Sequence, residues 1–111
     1  MPREQWISVI QKKESFKIPQ SDVLHIEQSG KSLHIKTDSD LLESAGKIRE
    51  IREDLEEPFY LCHAYLIINI ERVVSMTEGK IIFDDKTELH LGRDSFTRTR
   101  KKFNKYLLGQ W

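Results

Sequence analysis

A mainly β fold, made of antiparallel strands with two short helices, is what this sequence predicts. Short runs rich in β-branched and aromatic residues alternate with polar positions, and turn residues separate them at regular intervals. A helical period replaces that alternation in two places only, beyond Asp40 and beyond Gly92.

Trp6 to Ile10 read as a short strand, and Gln11 to Glu14 as a polar turn. Phe16-Lys17-Ile18 alternates until Pro19 interrupts it, as at an edge strand or turn. Val23 to Glu27 is the next strand, with Leu24 and Ile26 expected on one face. Ser29-Gly30-Lys31-Ser32 is a turn, after which Leu33, Ile35 and Thr37 alternate with His34 and Lys36, completing a hairpin. Ile48, Ile51 and Leu55 then lie at i, i+3 and i+7, the spacing of an amphipathic helix of about three turns. Its acidic residues Asp54, Glu56 and Glu57 stand at the end the helix dipole disfavours, and Pro58 terminates it. Residues 59–70 are the most apolar stretch and suggest a strand buried on both faces. Val73 to Met76, Lys80 to Phe83 and Thr87 to Leu91 follow as a meander. Its turns are Glu78-Gly79 and Asp84-Asp85-Lys86, the latter expected as a solvated tip. Phe96, Thr99 or Arg100, Phe103 and Leu107 mark the last helix, with Lys and Arg on its opposite face.

A chain of 111 residues with 38% hydrophobic and 32% charged residues suits one domain, 1–111, with one modest core. No apolar run approaches the ~18–20 residues of a membrane span, and Met1-Pro2-Arg3-Glu4-Gln5-Trp6 lacks the apolar stretch of a leader. The single Cys62 excludes an intrachain disulfide framework and fits a reducing, cytoplasmic setting. The formal net charge of zero, taken at face value, argues against a general polyanion binder. Yet the charge is unevenly spread. Residues 91–111 carry Arg93, Arg98, Arg100, Lys101, Lys102 and Lys105 against Asp94 alone, while residues 41–90 are acidic. Such a run is a solvated helix face or a surface that meets phosphate.

Enzyme chemistry has little support. His25, His34, His63, His90 and Cys62 show neither a C-x-x-C nor an H-x-x-x-H spacing, so no metal is expected. His25, His34 and His90 fall on the polar phase of alternating strands, where exposure is the default. A lone Cys in an apolar strand behaves as a small core hydrophobe. No glycine-rich phosphate loop and no nucleophile elbow is present, so no cofactor and no catalytic residue is assigned.

The order of signals carries a resemblance. Phe59, Leu61, His63, Ala64, Tyr65, Leu66, Ile67, Ile68 and Asn69, then Val73, match a pattern F-x-R-x-H-[R/N]-S-[YF]-[LIV]-[VI]-N followed by Val or Ile. Asp22 to Glu27 resembles the upstream strand "DI-x-[YF]-[IF]-E", and Ile81 to Leu91 with Gly92-Arg93 resembles the downstream hairpin and its arginine. Over residues 16–108 the chain resembles the LytTR DNA-binding domain, found at the C-terminus of many bacterial response regulators. The resemblance implies an elongated stack of antiparallel sheets that grips DNA with loops rather than a recognition helix. Two loops would enter successive major grooves, and the position after the conserved His would lie over the minor groove between them.

Carried over, the first loop is Lys31, Ser32 and His34, the middle contact His63 and Ala64, and the third Arg93. An arginine fork reads guanine O6/N7, worth ~1–3 kcal/mol of discrimination. Lys31 and Ser32 suit phosphates, and His34 a base or a phosphate. Arg98, Lys101 and Lys102, with Lys105, would add sequence-independent attraction. Leu61, Ala64 and Tyr65 depart from the pattern and remove three polar groups from the central loop. Asn69 is expected to tie down the turn after its strand, and His63 to bond nearby backbone. The function implied is sequence-specific binding of double-stranded DNA on a direct repeat, with a second copy. The domain would serve as the output domain of a two-component response regulator beside a receiver domain, or as a stand-alone regulator. The alternative is a protein-interaction module using the acidic helix 43–57 and Trp111; a thiol or metal enzyme is the third reading.

Overall fold

Turn residues divide the chain into ten strands, and the computed structural model, which describes residues 5–111, pairs them into three antiparallel sheets. Met1-Pro2-Arg3-Glu4, read above for a leader, lie outside the described residues. A hairpin joins β1 (Trp6–Ile10) to β2 (Ser15–Pro19). The central sheet contains β3 (Val23–Ser29), β4 (Ser32–Thr37), β5 (Leu41–Ala45), β6 (Phe59–His63) and β7 (Leu66–Asn69), in the order β5-β4-β3-β7-β6. The meander is β8 (Val73–Thr77), β9 (Lys80–Phe83) and β10 (Glu88–His90). Two α-helices complete the fold, α1 (Ile48–Ile51) and α2 (Arg93–Leu107). The stack measures 40 × 36 × 25 Å.

The central sheet is the middle layer, because its alternation serves two cores. Ile67 and Ile68 are adjacent, point to opposite faces and belong to different clusters. Ile67 joins Ile26, Leu33 and Ile35 beneath Ile7 and Val9 of β1 and Ile48 of α1. Ile68 joins Leu24 and Leu66 beneath Ile81 and Phe83 of β9 and Phe103 of α2. Each such buried side chain is worth ~1.5–3 kcal/mol relative to exposure.

Several elements differ from the sequence-based expectation. A bulge between Val23 and His25 shifts the phase of β3, so Leu24 and Ile26 fall in different cores instead of on one face. His25 is buried rather than exposed, with its ring 5.5 Å from that of Phe83. Alternation reports only that a residue faces away from the first core, and here the meander covers that second face. The expected acidic helix 43–57 is not one element. Leu41–Ala45 is a strand paired with β4, and α1 is a single turn continued by a 3-10 turn at Arg52–Asp54. Ile48, Ile51 and Leu55 still pack into the same core. The buried Gln20 amide stops the helix by donating to the Asp54 carbonyl at 3.0 Å and accepting from the Glu56 N–H at 3.1 Å.

Residues 59–70 form a hairpin, β6 and β7, rather than one strand, turning at Ala64-Tyr65. In α2 the inward residues are Thr99, Phe103 and Tyr106, whereas Leu107 is exposed. The Asp84-Asp85 tip is also less free than expected. Asp84 accepts from Arg72 Nε at 2.7 Å and Nη2 at 2.9 Å, and Asp85 lies 3.5 Å from Lys36 Nζ. Arg72 also donates to the Ser21 carbonyl and to Asp38, and its bonds to Asp84 first and Asp38 second draw its guanidinium above the usual arginine range. Asn69, buried, donates to the Val23 carbonyl at 2.9 Å and accepts from the Glu71 N–H at 3.2 Å. These contacts rivet the end of the stack at which β3 begins and β4 and β7 finish. The opposite end is left to the turns that follow.

Candidate nucleic-acid interface

Strand directions decide which loops meet. β3 ends at Ser29 where β4 begins at Ser32, and β7 begins at Leu66 beside Glu27. The β3–β4 turn and the β6–β7 turn therefore share one end. Gln28 fastens them together. Its N–H donates to the Tyr65 carbonyl at 2.9 Å, its Nε2 to the Gly30 carbonyl at 3.1 Å, and its Oε1 accepts from the Ile48 N–H at 2.8 Å. Gly46 N–H donates to the Lys31 carbonyl at 3.0 Å, so the start of α1 belongs to the same end.

Helix α2 brings the fourth piece. Arg98 Nη2 donates to the Cys62 carbonyl at 3.3 Å, near the end of β6. Tyr106 and Trp111 line a cavity with Pro58, just before the start of β6. The helix thus runs antiparallel to β6 and points its N-terminus toward the β6–β7 turn. Arg93 is its first residue, about 7.5 Å beyond Arg98 along the axis at ~1.5 Å per residue, and it is exposed. Its cation stands at the positive end of the dipole, an arrangement that disfavours the helix by ~0.3–1 kcal/mol. Gly92 caps that end with φ −63° and ψ 163°, and a Cβ there would meet nothing within 4 Å. The fold does not itself require glycine at this position.

The residues named from sequence have diverse surroundings. Lys31 is exposed beside Gly30, whose φ of +62° makes the tight turn, and Ser32 is half-buried at the start of β4. His34 is half-buried and stands across from Glu27 on one side and Glu43 on the other. Two carboxylates across the strands make this a poor place for a phosphate. His63 is exposed, and its Nδ1 accepts the Tyr65 N–H at 3.2 Å, which sets the turn; Ala64 is exposed beside it. Lys101 is exposed, whereas Lys102 Nζ sits 3.8 Å from the centre of the Trp111 ring. Arg98 is partly committed to Cys62 and Lys102 to Trp111, so their charge is anchored rather than free to reach. Trp111 also packs edge-on against Tyr106. Gln28 escaped the sequence reading, as did Lys47 and Arg49, which stand over the same end. An amide inside an alternating strand carries no local sign of long-range bonds.

Two chemistries are placed by burial. The Cys62 thiol is pushed up to about 11 by desolvation, opposed in part by the Thr99 hydroxyl and the Arg98 guanidinium. His25 is lowered to about 4 by burial first and by Lys36 second, against Asp85. Partial burial pushes Asp85 up, but the Thr87 hydroxyl and N–H and the Lys36 ammonium outweigh it and hold the carboxyl below its usual range. Among the described residues, no cluster of three His, Cys, Asp or Glu side chains forms a metal site, and no helix is long and apolar enough to cross a membrane.

No curated protein matches the chain. Among solved structures, the chain is similar to one described as the LytTr DNA-binding domain of a methyl-accepting/DNA response regulator from Bacillus cereus. The TM-score is 0.73 at 15% identity, covering 90% of this chain and 97% of that one, a likeness of fold. The family pattern of the LytTr DNA-binding domain matches residues 13–104. With that pattern spanning most of the chain and the same stack of sheets beneath it, the protein belongs to the LytTR DNA-binding domain family.

Proposed function

We propose that this domain binds double-stranded DNA sequence-specifically through the loops at one end of its sheet stack and so regulates transcription. The observation that carries the reading is the convergence of the β3–β4 turn, the β6–β7 turn and the N-terminus of α2, held in part by Gln28. Arg93 reads a base edge, Lys31 and Ser32 position the duplex on phosphates, and His34 contributes a base-edge donor. Ala64 and His63 shape the middle of the surface without a side-chain hydrogen bond to a base. Arg98, Lys101 and Lys102 give diffuse attraction along the flank of α2. A domain of zero net charge has little long-range hold on DNA. Affinity then depends on a few placed groups and on a second copy bound to a direct repeat. The setting that suits this is the output half of a two-component response regulator, with a receiver domain supplying the second copy on phosphorylation. The test is fluorescence-based selection from random duplexes at two salt concentrations. A recovered direct repeat, bound more weakly at higher salt, supports the reading; no enrichment at either salt rejects it.

A further inference from the structure

Between α1 and the β6–β7 turn lies an open cleft of about 300 Å³ lined by Gln28, Lys47, Arg49, Ala64 and Tyr65. Its two cations lie in the segment whose spacing predicts an acidic helix. Among the described residues, neither Lys47 nor Arg49 has a carboxylate within 4.0 Å. Arg49 is exposed and Lys47 half-buried.

The backbone that carries them is held on both sides. Gly46 bonds the Lys31 carbonyl and has φ +137°, and a Cβ there would stand 3.2 Å from Leu33 Cδ1. Ile48 is 2% exposed and its N–H is taken by Gln28 Oε1. Lys47 therefore sits between two fixed residues. On the facing wall, Tyr65 is 58% exposed although its N–H and its carbonyl are both bonded, to His63 Nδ1 and to the Gln28 N–H. A large aromatic ring on a pinned backbone, uncovered by its own fold, is arranged for contact with something else. Ala64 beside it adds no polar group, so the cleft holds cations and a ring but little that could tell one base from another.

We propose that this cleft is a sugar–phosphate clamp, in which Lys47 and Arg49 each neutralise a phosphate while the Tyr65 ring packs on the deoxyribose between them. The inference rests on the DNA-binding reading. It explains how a domain of zero net charge holds the backbone at the centre of its surface: two cations line the cleft where the contact is made. Its contribution is independent of sequence, in contrast to that of Arg93.

The experiment compares wild type, Lys47→Ala/Arg49→Ala, Tyr65→Ala and Tyr65→Phe on the selected duplex and on an unrelated duplex across a salt series. Matching urea midpoints check that each variant is folded. The expected result for the double variant is a slope of log affinity against log salt smaller by about 1.8, at ~0.9 per phosphate, with both duplexes weakened alike. Tyr65→Ala is expected to lose roughly five- to tenfold on both duplexes, as loss of about 1 kcal/mol of ring contact implies, and Tyr65→Phe to keep wild-type affinity. A wild-type slope in the double variant, a changed preferred sequence, or equal losses in Tyr65→Phe and Tyr65→Ala overturns the clamp. If wild type binds and Arg93→Ala is impaired while the clamp variants are normal, the clamp alone fails. If wild type binds no duplex, the DNA-binding reading fails and the clamp with it.

Discussion

The Oε1 of Gln28 accepts the N–H of Ile48 at 2.8 Å, and through that one bond a residue of β3 sets the start of α1. The same side chain donates to Gly30 at 3.1 Å, so both halves of the amide are occupied. Gln28→Ala should cost ~1–2 kcal/mol, since Ile48 would lose the partner of a part-buried N–H. The larger consequence is looseness in the loops. Hydrogen exchange at Ile48 should accelerate, and DNA affinity should fall several-fold even where the protein remains folded. Unchanged exchange at Ile48 would show that the amide is not the fastener described.

Arg93 is exposed and, among the described residues, forms no ion pair. Arg93→Ala should leave the urea midpoint within ~0.5 kcal/mol of wild type in stability. It should weaken the preferred duplex by ~1–3 kcal/mol and relax preference at one base pair. Arg93→Lys should recover charge but not discrimination, because the ammonium lacks the planar fork. Titration of the selected duplex and of its single-base variants measures both effects.

Gly92 separates folding from binding. Serine is a better N-cap than glycine and finds open space there, so Gly92→Ser should be neutral or stabilising by a few tenths of a kcal/mol. If DNA backbone approaches Gly92 closely, the same change should lower affinity. Equal affinity in a stabilised variant would show that the approach is not close.

His25 makes stability depend on pH. Its folded value of about 4 lies below the ordinary 6.5, so the unfolded chain binds a proton that the folded one refuses. The stabilisation is fully present above pH 6.5 and is lost as pH falls from there to about 4, by up to ~3 kcal/mol. Urea unfolding at stepped pH should show this slope, and His25→Leu should flatten it. Groups around the ring include Glu27, 3.9 Å away, with Lys36 and Asp85. Asp85, held below its usual range, loses its own contribution only at still lower pH.

Cys62 should be inert while the protein is folded. The residue is 1% exposed and its thiol is pushed up to about 11 by burial. At pH 8 a thiol-specific disulfide reagent should react only at the rate of unfolding and react at once in denaturant. Fast native-state labelling would reopen the thiol reading.

Periodicity alone located the β1–β2 and β3–β4 hairpins, the meander and α2, because each of those patterns records burial against a neighbour close in sequence. It misread His25, Leu24, the segment 43–57 and the hairpin within 59–70, because contacts distant in sequence decided each of them. The phase of a strand says which residues face a core, and it does not say that a second layer covers the other side. Phe83 covers His25, a bulge rephases β3, and Gln20, more than thirty residues away, ends the helix that the spacing of Ile48, Ile51 and Leu55 would have continued.

By itself, then, the sequence determined the antiparallel class, most of the turns and the family, since these follow from local alternation and from the order of motifs around Phe59 and Asn69. Tertiary structure decided which loops stand together and which cations are free. Arg98 and Lys102 are drawn onto Cys62 and Trp111, while Lys47 and Arg49 are left to face the cleft beside Tyr65. The physical reason is that satisfying backbone groups and placing charges are long-range demands, settled by residues such as Gln28 whose partners lie up to thirty-seven positions along the chain and carry no periodic signal.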